Sequence, residues 1–213
     1  MSGTIETIVE RRSQRGEPTW EVAQYFPIQG NWTVEEYLAL DLSGGKLIEF
    51  NHGVLEFPPM PTAKHQRILK FLLRILESVL EERGVGEVLS APLPLRLETG
   101  LFREPDALVV RPEHLESNPD YPSGAELVVE IVSAGKVARQ RDFETKRMEY
   151  AGTGIPEYWI IDPENHAVHV LTLHAGLYRV HGVFKSGQTI TSVLFSGLTI
   201  DIDELFAGKR KEP

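Results

Sequence analysis

Glu126-Leu127-Val128-Val129-Glu130-Ile131-Val132 is a run of strand length in which every residue after the first is apolar except one carboxylate. A strand without alternation has both faces covered, as at the centre of an α/β sheet. Residues i and i+2 share a face, so Glu130 and Val132 point one way and Ile131 the other. An unpaired carboxylate buried there would cost many kcal/mol or protonate, so Glu130 needs a cation or several hydrogen bonds. Upstream, Glu104-Pro105-Asp106-Ala107-Leu108-Val109-Val110 repeats the problem, with Asp106 at the edge of another apolar run. If these strands pair, the two carboxylates converge, and a hard divalent ion with oxygen ligands is the economical way to hold them together. The plain alternative gives each carboxylate backbone amides or a local arginine, Arg103 or Arg141.

The flanking segments supply the rest of an α/β architecture. After Ser133-Ala134-Gly135 the pattern predicts a helix from Val137 to Ala151, ended by Gly152 and Gly154 with Pro156 beyond. Arg139, Phe143, Lys146 and Tyr150 recur on one helical stripe with two aromatics, which turns Lys146 toward the sheet. An ammonium there would polarise a phosphate oxygen, or orient and help deprotonate a water; the bland reading is a lysine reaching round the sheet edge. Glu157 to Ile161 is a further buried strand. An earlier helix, Ala63 to Arg83 with Thr62 as N-cap, carries Ile68, Leu72, Ile75, Leu76 and Val79 on its buried face and Arg67, Lys70, Arg74, Glu77 and Glu81 on the other. His65 begins the buried stripe.

Turn chemistry places the remaining elements. Asn51-His52-Gly53 predicts a hairpin between Lys46 to Phe50 and Val54 to Phe57, and Ala175-Gly176 one between Ala167 to Leu173 and Leu177 to Phe184. Strands are expected at Glu87 to Leu97, broken by Pro92 and Pro94, and at Leu101 to Val110. Short helices are expected from Thr33 to Leu40 and from Asp201 to Phe206. Phe57-Pro58-Pro59-Met60-Pro61 forbids regular structure. The expected organisation is an N-terminal arm over 1–30, a single domain over 31–208 and a charged tail over 209–213.

Bulk properties narrow the function. At 213 residues with net charge −9, the chain is not a general polyanion binder with a wholly basic surface. Basic residues are nevertheless concentrated in the two helical segments beside the carboxylates, where Lys64, Arg67, Lys136, Arg139 and Arg141 are candidate contacts to a nucleic-acid backbone. The absence of cysteine excludes disulfides, thiolate metal sites and a cysteine nucleophile, and with no signal-peptide or membrane-length apolar run the expected location is cytoplasmic. Ser133-Ala134-Gly135-Lys136 lacks the first glycine and the final hydroxyl residue of a phosphate-binding loop. His166, His169 and His174 are spread along a late hairpin and read as solvated rather than as a metal cluster.

Pro105-Asp106, Val129-Glu130-Ile131-Val132-Ser133, Asp142 to Lys146 with Tyr150, and Gly154-Ile155-Pro156-Glu157-Tyr158-Trp159 occur in an order and spacing that resemble the Uma2 family of the PD-(D/E)XK nuclease superfamily. The resemblance runs from about Thr33 to Thr172. It implies a restriction-endonuclease-like fold: a mixed central β-sheet flanked by helices, with an added N-terminal hairpin and a C-terminal β-hairpin. It also implies Asp106 and Glu130 as ligands of Mg²⁺ or Mn²⁺, with the Ile131 backbone carbonyl as a third, and hydrolysis of DNA phosphodiesters. Valine stands at position 132, where the superfamily motif has its lysine, and Lys146 would be a migrated replacement. Glu49, in Leu47-Ile48-Glu49-Phe50, matches an acid of the family's first hairpin. Glu49 and His65 are therefore candidate accessory residues. The leading expectation is a metal-dependent endonuclease using Asp106, Glu130 and Lys146, working as a homodimer on DNA. The rival is a catalytically silent module of the same fold for nucleic-acid binding or protein assembly.

Overall fold

The computed structural model describes residues 26–40 and 47–210; most of the expected N-terminal arm and the last residues of the tail lie outside them. Two sheets carry the fold. Strands β1 (Glu49–Asn51), β2 (Val54–Glu56), β4 (Leu95–Glu98) and β5 (Leu101–Arg103) form a four-stranded sheet in the order β2-β1-β5-β4. Strands β3 (Glu87–Ser90), β6 (Ala107–Val110), β7 (Leu127–Ile131), β8 (Glu157–Asp162), β9 (Ala167–His174) and β10 (Leu177–Lys185) form a six-stranded sheet in the order β10-β9-β8-β7-β6-β3. Its β7–β8 pair is parallel and the other pairs are antiparallel, so the sheet is mixed.

The central strand behaves as its composition dictates. Leu127, Val129 and Ile131 enter one core with Ile68, Leu72 and Leu76 of helix α2 (Ala63–Leu76), while Val128 and Val132 enter another with Tyr150 and Ala151. Glu130 shares the second face by strand parity. The β7–β8 crossover is helical throughout: α3 (Lys136–Gln140), a π-helical turn (Arg141–Thr145) and α4 (Lys146–Thr153), closed by Gly154 in the left-handed region at φ 89°. Thr62 caps α2, whose end continues into a π-helical turn over Glu77–Glu81. A first short helix, α1 (Val34–Leu38), carries a capping box between Thr33 and Glu36.

Two expectations change. The strand expected over Leu101 to Val110 is two strands in different sheets. Pro105 cannot donate to a ladder, so the chain leaves one sheet and enters the other across Glu104-Pro105-Asp106. The strand expected from Glu87 to Leu97 likewise splits at its prolines. The expected C-terminal β-hairpin is present as β9–β10 and pairs into the six-stranded sheet through β8, and beyond it β11 (Thr189–Thr191), β12 (Thr199–Asp201) and α5 (Ile202–Ala207) follow. Both hairpin turns have two consecutive residues at positive φ, His52-Gly53 and Ala175-Gly176, as type I′ turns require. Among the described residues no helix is long and apolar enough to cross a membrane.

Candidate active site

The sheets part at Glu104-Pro105-Asp106, and the buried carboxylates gather at that seam. Glu49 arrives from β1, Glu104 and Asp106 from the β5–β6 link, Glu130 from β7, and Lys146 and Tyr150 from α4. All but Tyr150 border a cavity of about 20 Å³, walled also by Leu47, Pro58, Pro59 and Pro61. A single water needs about 10–15 Å³, so the space suits one water or one ion and not a phosphate group.

Lys146 is the hub. Its Nζ lies 2.6 Å from Glu130 Oε1 and 2.8 Å from Glu49 Oε1, and the side chain is 1% exposed. The lysine reaches into the chamber and does not skirt the sheet edge. One turn on, the Tyr150 hydroxyl also donates to Glu130 Oε1, at 2.6 Å, as the i, i+4 spacing allows. Glu130 Oε2 has no hydrogen-bond partner among the described residues. Asp106 is held differently: Oδ2 accepts the Ile131 N–H at 2.7 Å and Oδ1 lies 3.1 Å from His65 Nε2. A carboxylate only accepts, so His65 donates through Nε2; its buried Nδ1 has no partner among the described residues.

Arg103 braces the arrangement from behind. Its guanidinium bonds Glu49 at 3.1 Å, Glu56, and both oxygens of Glu149 at 2.8 and 2.6 Å, so a fully buried cation ties the four-stranded sheet to α4. Arg141 pairs with the buried Asp142 at 3.1 Å. Neither arginine bonds Asp106 or Glu130, which excludes the local-arginine alternative for both; Asp106 does take the backbone amide.

The charge balance is uneven. Burial works against ionisation of Glu49, but Lys146 and Arg103 overcome it and hold its carboxyl below the usual range. Burial pushes Glu130 up to about 8, and although Lys146 opposes this, Asp142, Asp106 and Glu49 add to it. Desolvation disfavours the Lys146 ammonium, yet Glu130, Glu49 and Asp142 hold it well above the ordinary lysine value. One ammonium therefore serves two carboxylates. Glu49 has a second cation in Arg103 and is satisfied, whereas Glu130 is left wanting positive charge.

Among the described residues, no three His, Cys, Asp or Glu side chains gather closely enough to cage a metal unaided. The donor set is smaller: two carboxylates at the end of β7 beside an ion-sized space, with one Glu130 oxygen unbonded. That set fits Mg²⁺ or Mn²⁺, which bind through one or two carboxylates and keep several waters.

Of the expected backbone contacts, Lys64, Arg67 and Lys136 are exposed, Lys64 bonding the Pro163 carbonyl at 2.8 Å. Arg139 bonds Asp162 and stacks 4.4 Å from the Phe143 ring centroid, so it serves the fold, while Arg141 borders the chamber itself. His169 packs edge-on against Phe143 and His174 lies 3.2 Å from the Thr172 hydroxyl, so these histidines form no cluster.

Two buried acids that feel the Lys146 charge escaped the sequence reading. Asp142 stands i−4 to Lys146 on the helix, a spacing that signals the pair only once Lys146 is known to be buried. Glu104 accepts the Ile48 N–H through Oε2 at 3.0 Å, while its buried Oε1 has no partner among the described residues. Burial, with the Glu49 charge adding to it, pushes Glu104 up to about 7. Its folded-state value lies above the ordinary 4.5, so ionising Glu104 costs stability as pH rises through about 7, and nothing is lost below about 4.5. Glu104→Gln keeps the acceptor for Ile48. In chelator it is expected to stabilise the protein by about 1–2 kcal/mol at pH 8 and to be neutral at pH 4, read from denaturation at both pH values.

Comparison with known proteins agrees with this frame. Residues 34–203 match the Uma2 family, described as "Putative restriction endonuclease". The chain belongs to the Uma2 family. Among solved structures, "a putative nuclease belonging to DUF820 from Anabaena variabilis ATCC 29413" superposes on this Uma2 member with a TM-score of 0.66 at 19% identity. The match covers 83% of this chain and 98% of that one, and at this identity it speaks for the fold: a mixed sheet flanked by helices. No curated protein matches this family member.

Proposed function

We propose that the chain is a divalent-metal-dependent endonuclease that hydrolyses DNA phosphodiester bonds. Asp106, Glu130 and the Ile131 carbonyl would hold Mg²⁺ or Mn²⁺. The N–H and C=O of a strand residue point to the same side, and the Ile131 N–H already faces Asp106. An ion so held lowers the pKa of a bound water and offsets charge on a phosphorane-like transition state.

The observation that carries the reading is the Lys146 ammonium, buried and 2.6 Å from Glu130 although the position two residues past Glu130 is valine. A helix packed on the sheet brings a positive charge to the space that the motif's own lysine would fill. Because its neighbours keep Lys146 protonated, it acts as a fixed charge toward a phosphate oxygen and not as the base. Glu49 holds Lys146, Tyr150 holds Glu130, and His65 holds Asp106 in place. Arg141, at the chamber, would meet the scissile phosphate, and the exposed Lys64, Arg67 and Lys136 phosphates further away. A homodimer would offer one chamber to each strand of a duplex.

The test is cleavage of supercoiled, single-stranded and branched DNA with Mg²⁺ or Mn²⁺. Asp106→Ala is expected to reduce cleavage by about 100-fold or more. Cleavage by that variant at the wild-type rate overturns the assignment. One observation favours the silent module: both Asp106 oxygens already have protein partners. For that reading, Mn²⁺ titration calorimetry would give no heat that Glu130→Ala removes.

A further inference from the structure

The chamber is too small for a phosphodiester, so the substrate must approach it from a neighbouring surface. Two grooves share its walls. One of about 480 Å³ includes Asp106, Pro58, Pro59 and Pro61 and runs along α2; another of about 340 Å³ includes Pro59, His65 and Ser133 and lies toward Pro163. Met60 lines both, and although apolar it is 74% exposed.

The larger groove combines three properties. Its volume falls in the range of about 300–1,000 Å³ usual for small-molecule sites, enough for a nucleotide. Its walls include Met60, Leu73 and Pro92, flat or adaptable apolar surface of the kind on which a base packs. Lys70 and Arg74, both exposed and one helical turn apart, supply cations for a phosphate, and neither makes an ion pair with an acid among the described residues. Two cations against the one further acid, Glu77, beside apolar walls that end on Asp106, match the chemistry of a single nucleotide with its phosphate.

Resting on the nuclease reading, we infer that this groove binds an unpaired nucleotide next to the scissile phosphate, which makes single-stranded or flapped DNA the preferred substrate. A base stacked in a duplex cannot enter a pocket without being flipped out at a cost of a few kcal/mol, whereas an unpaired one enters freely. The second groove, with Lys64 on its wall, takes the strand onward past the chamber.

Binding in chelator, where no metal-dependent cleavage proceeds, tests this apart from catalysis. Fluorescence anisotropy would compare a labelled single strand of about eight nucleotides with the duplex of the same sequence. The single strand is expected to bind at least about tenfold more tightly. The K70A/R74A double variant is expected to lose that preference, with a log K against log salt slope shallower by about 1.4, the value for two single-strand phosphate contacts. Leu73→Trp fills the groove without touching its charges and is expected to weaken single-strand binding alone. Equal binding of the two DNAs, or wild-type binding by both variants, overturns the inference. The groove and the nuclease reading fail separately: the expected binding without cleavage in Mg²⁺ or Mn²⁺ retains the groove, whereas single-strand cleavage indifferent to K70A/R74A rejects it and leaves the nuclease.

Discussion

Lys146→Met is expected to abolish cleavage, by about 100- to 1,000-fold, and to make stability steeply pH-dependent. Methionine keeps the volume of a side chain that is 1% exposed, so packing changes little, and the loss is the charge shared by Glu49 and Glu130. Removing one partner of a buried ion pair costs about 3–5 kcal/mol because the other is left uncompensated. Without the ammonium both carboxyls favour their protonated forms in the folded state, so their folded pKa values rise above the unfolded ones. The deficit is therefore largest above pH 8 and shrinks as pH falls toward 5. Denaturant titrations across that range read the stability, and cleavage assays at a pH where the variant is folded read the activity. A variant as stable as wild type at pH 8 would show that Lys146 holds no charge in place.

Arg103→Met is expected to cost as much stability, about 3–5 kcal/mol, for a different reason. Arg103 meets Glu49, Glu56 and Glu149 with its whole fork, and Glu149 stands on the helix that carries Lys146. Its loss strands three acids and loosens the four-stranded sheet from α4. A melting temperature lower by about 10 °C is the expected reading. Arg103→Lys is expected to fall close to the methionine variant, since a point ammonium cannot reproduce a bidentate grip on Glu149. A lysine variant that melts with wild type would show that charge alone suffices there.

Much of the chamber is legible in the chain because burial and periodicity both mark it. Glu130 stands out as the charge in an apolar strand, Asp106 as the acid at the start of one, and Lys146 as the cation on an aromatic stripe. The structure brings all three to one seam, though with Asp106 on His65 and Ile131 rather than touching Lys146. What escapes the sequence is set by tertiary contacts. Glu104 falls inside the strand expected over Leu101 to Val110, and its burial comes from the switch between sheets that ends that strand. Asp142 and Glu149 carry no sign of their partners in the chain until the helix is known to lie against Lys146 and Arg103. Arg139 reads as a nucleic-acid contact, and only the parallel β7–β8 crossover brings Asp162 within its reach. Strands β11 and β12 are three residues each, too short for alternation to register.

The central claim is that Glu130, short of positive charge, and Asp106 hold a divalent ion beside Lys146. Anomalous diffraction from a crystal soaked in Mn²⁺ tests it most directly. A single anomalous peak is expected in the chamber, within coordination distance of Asp106 and Glu130 and with Lys146 Nζ beside it. A chamber without a peak at Mn²⁺ concentrations that support cleavage, or a peak bound elsewhere, would contradict it.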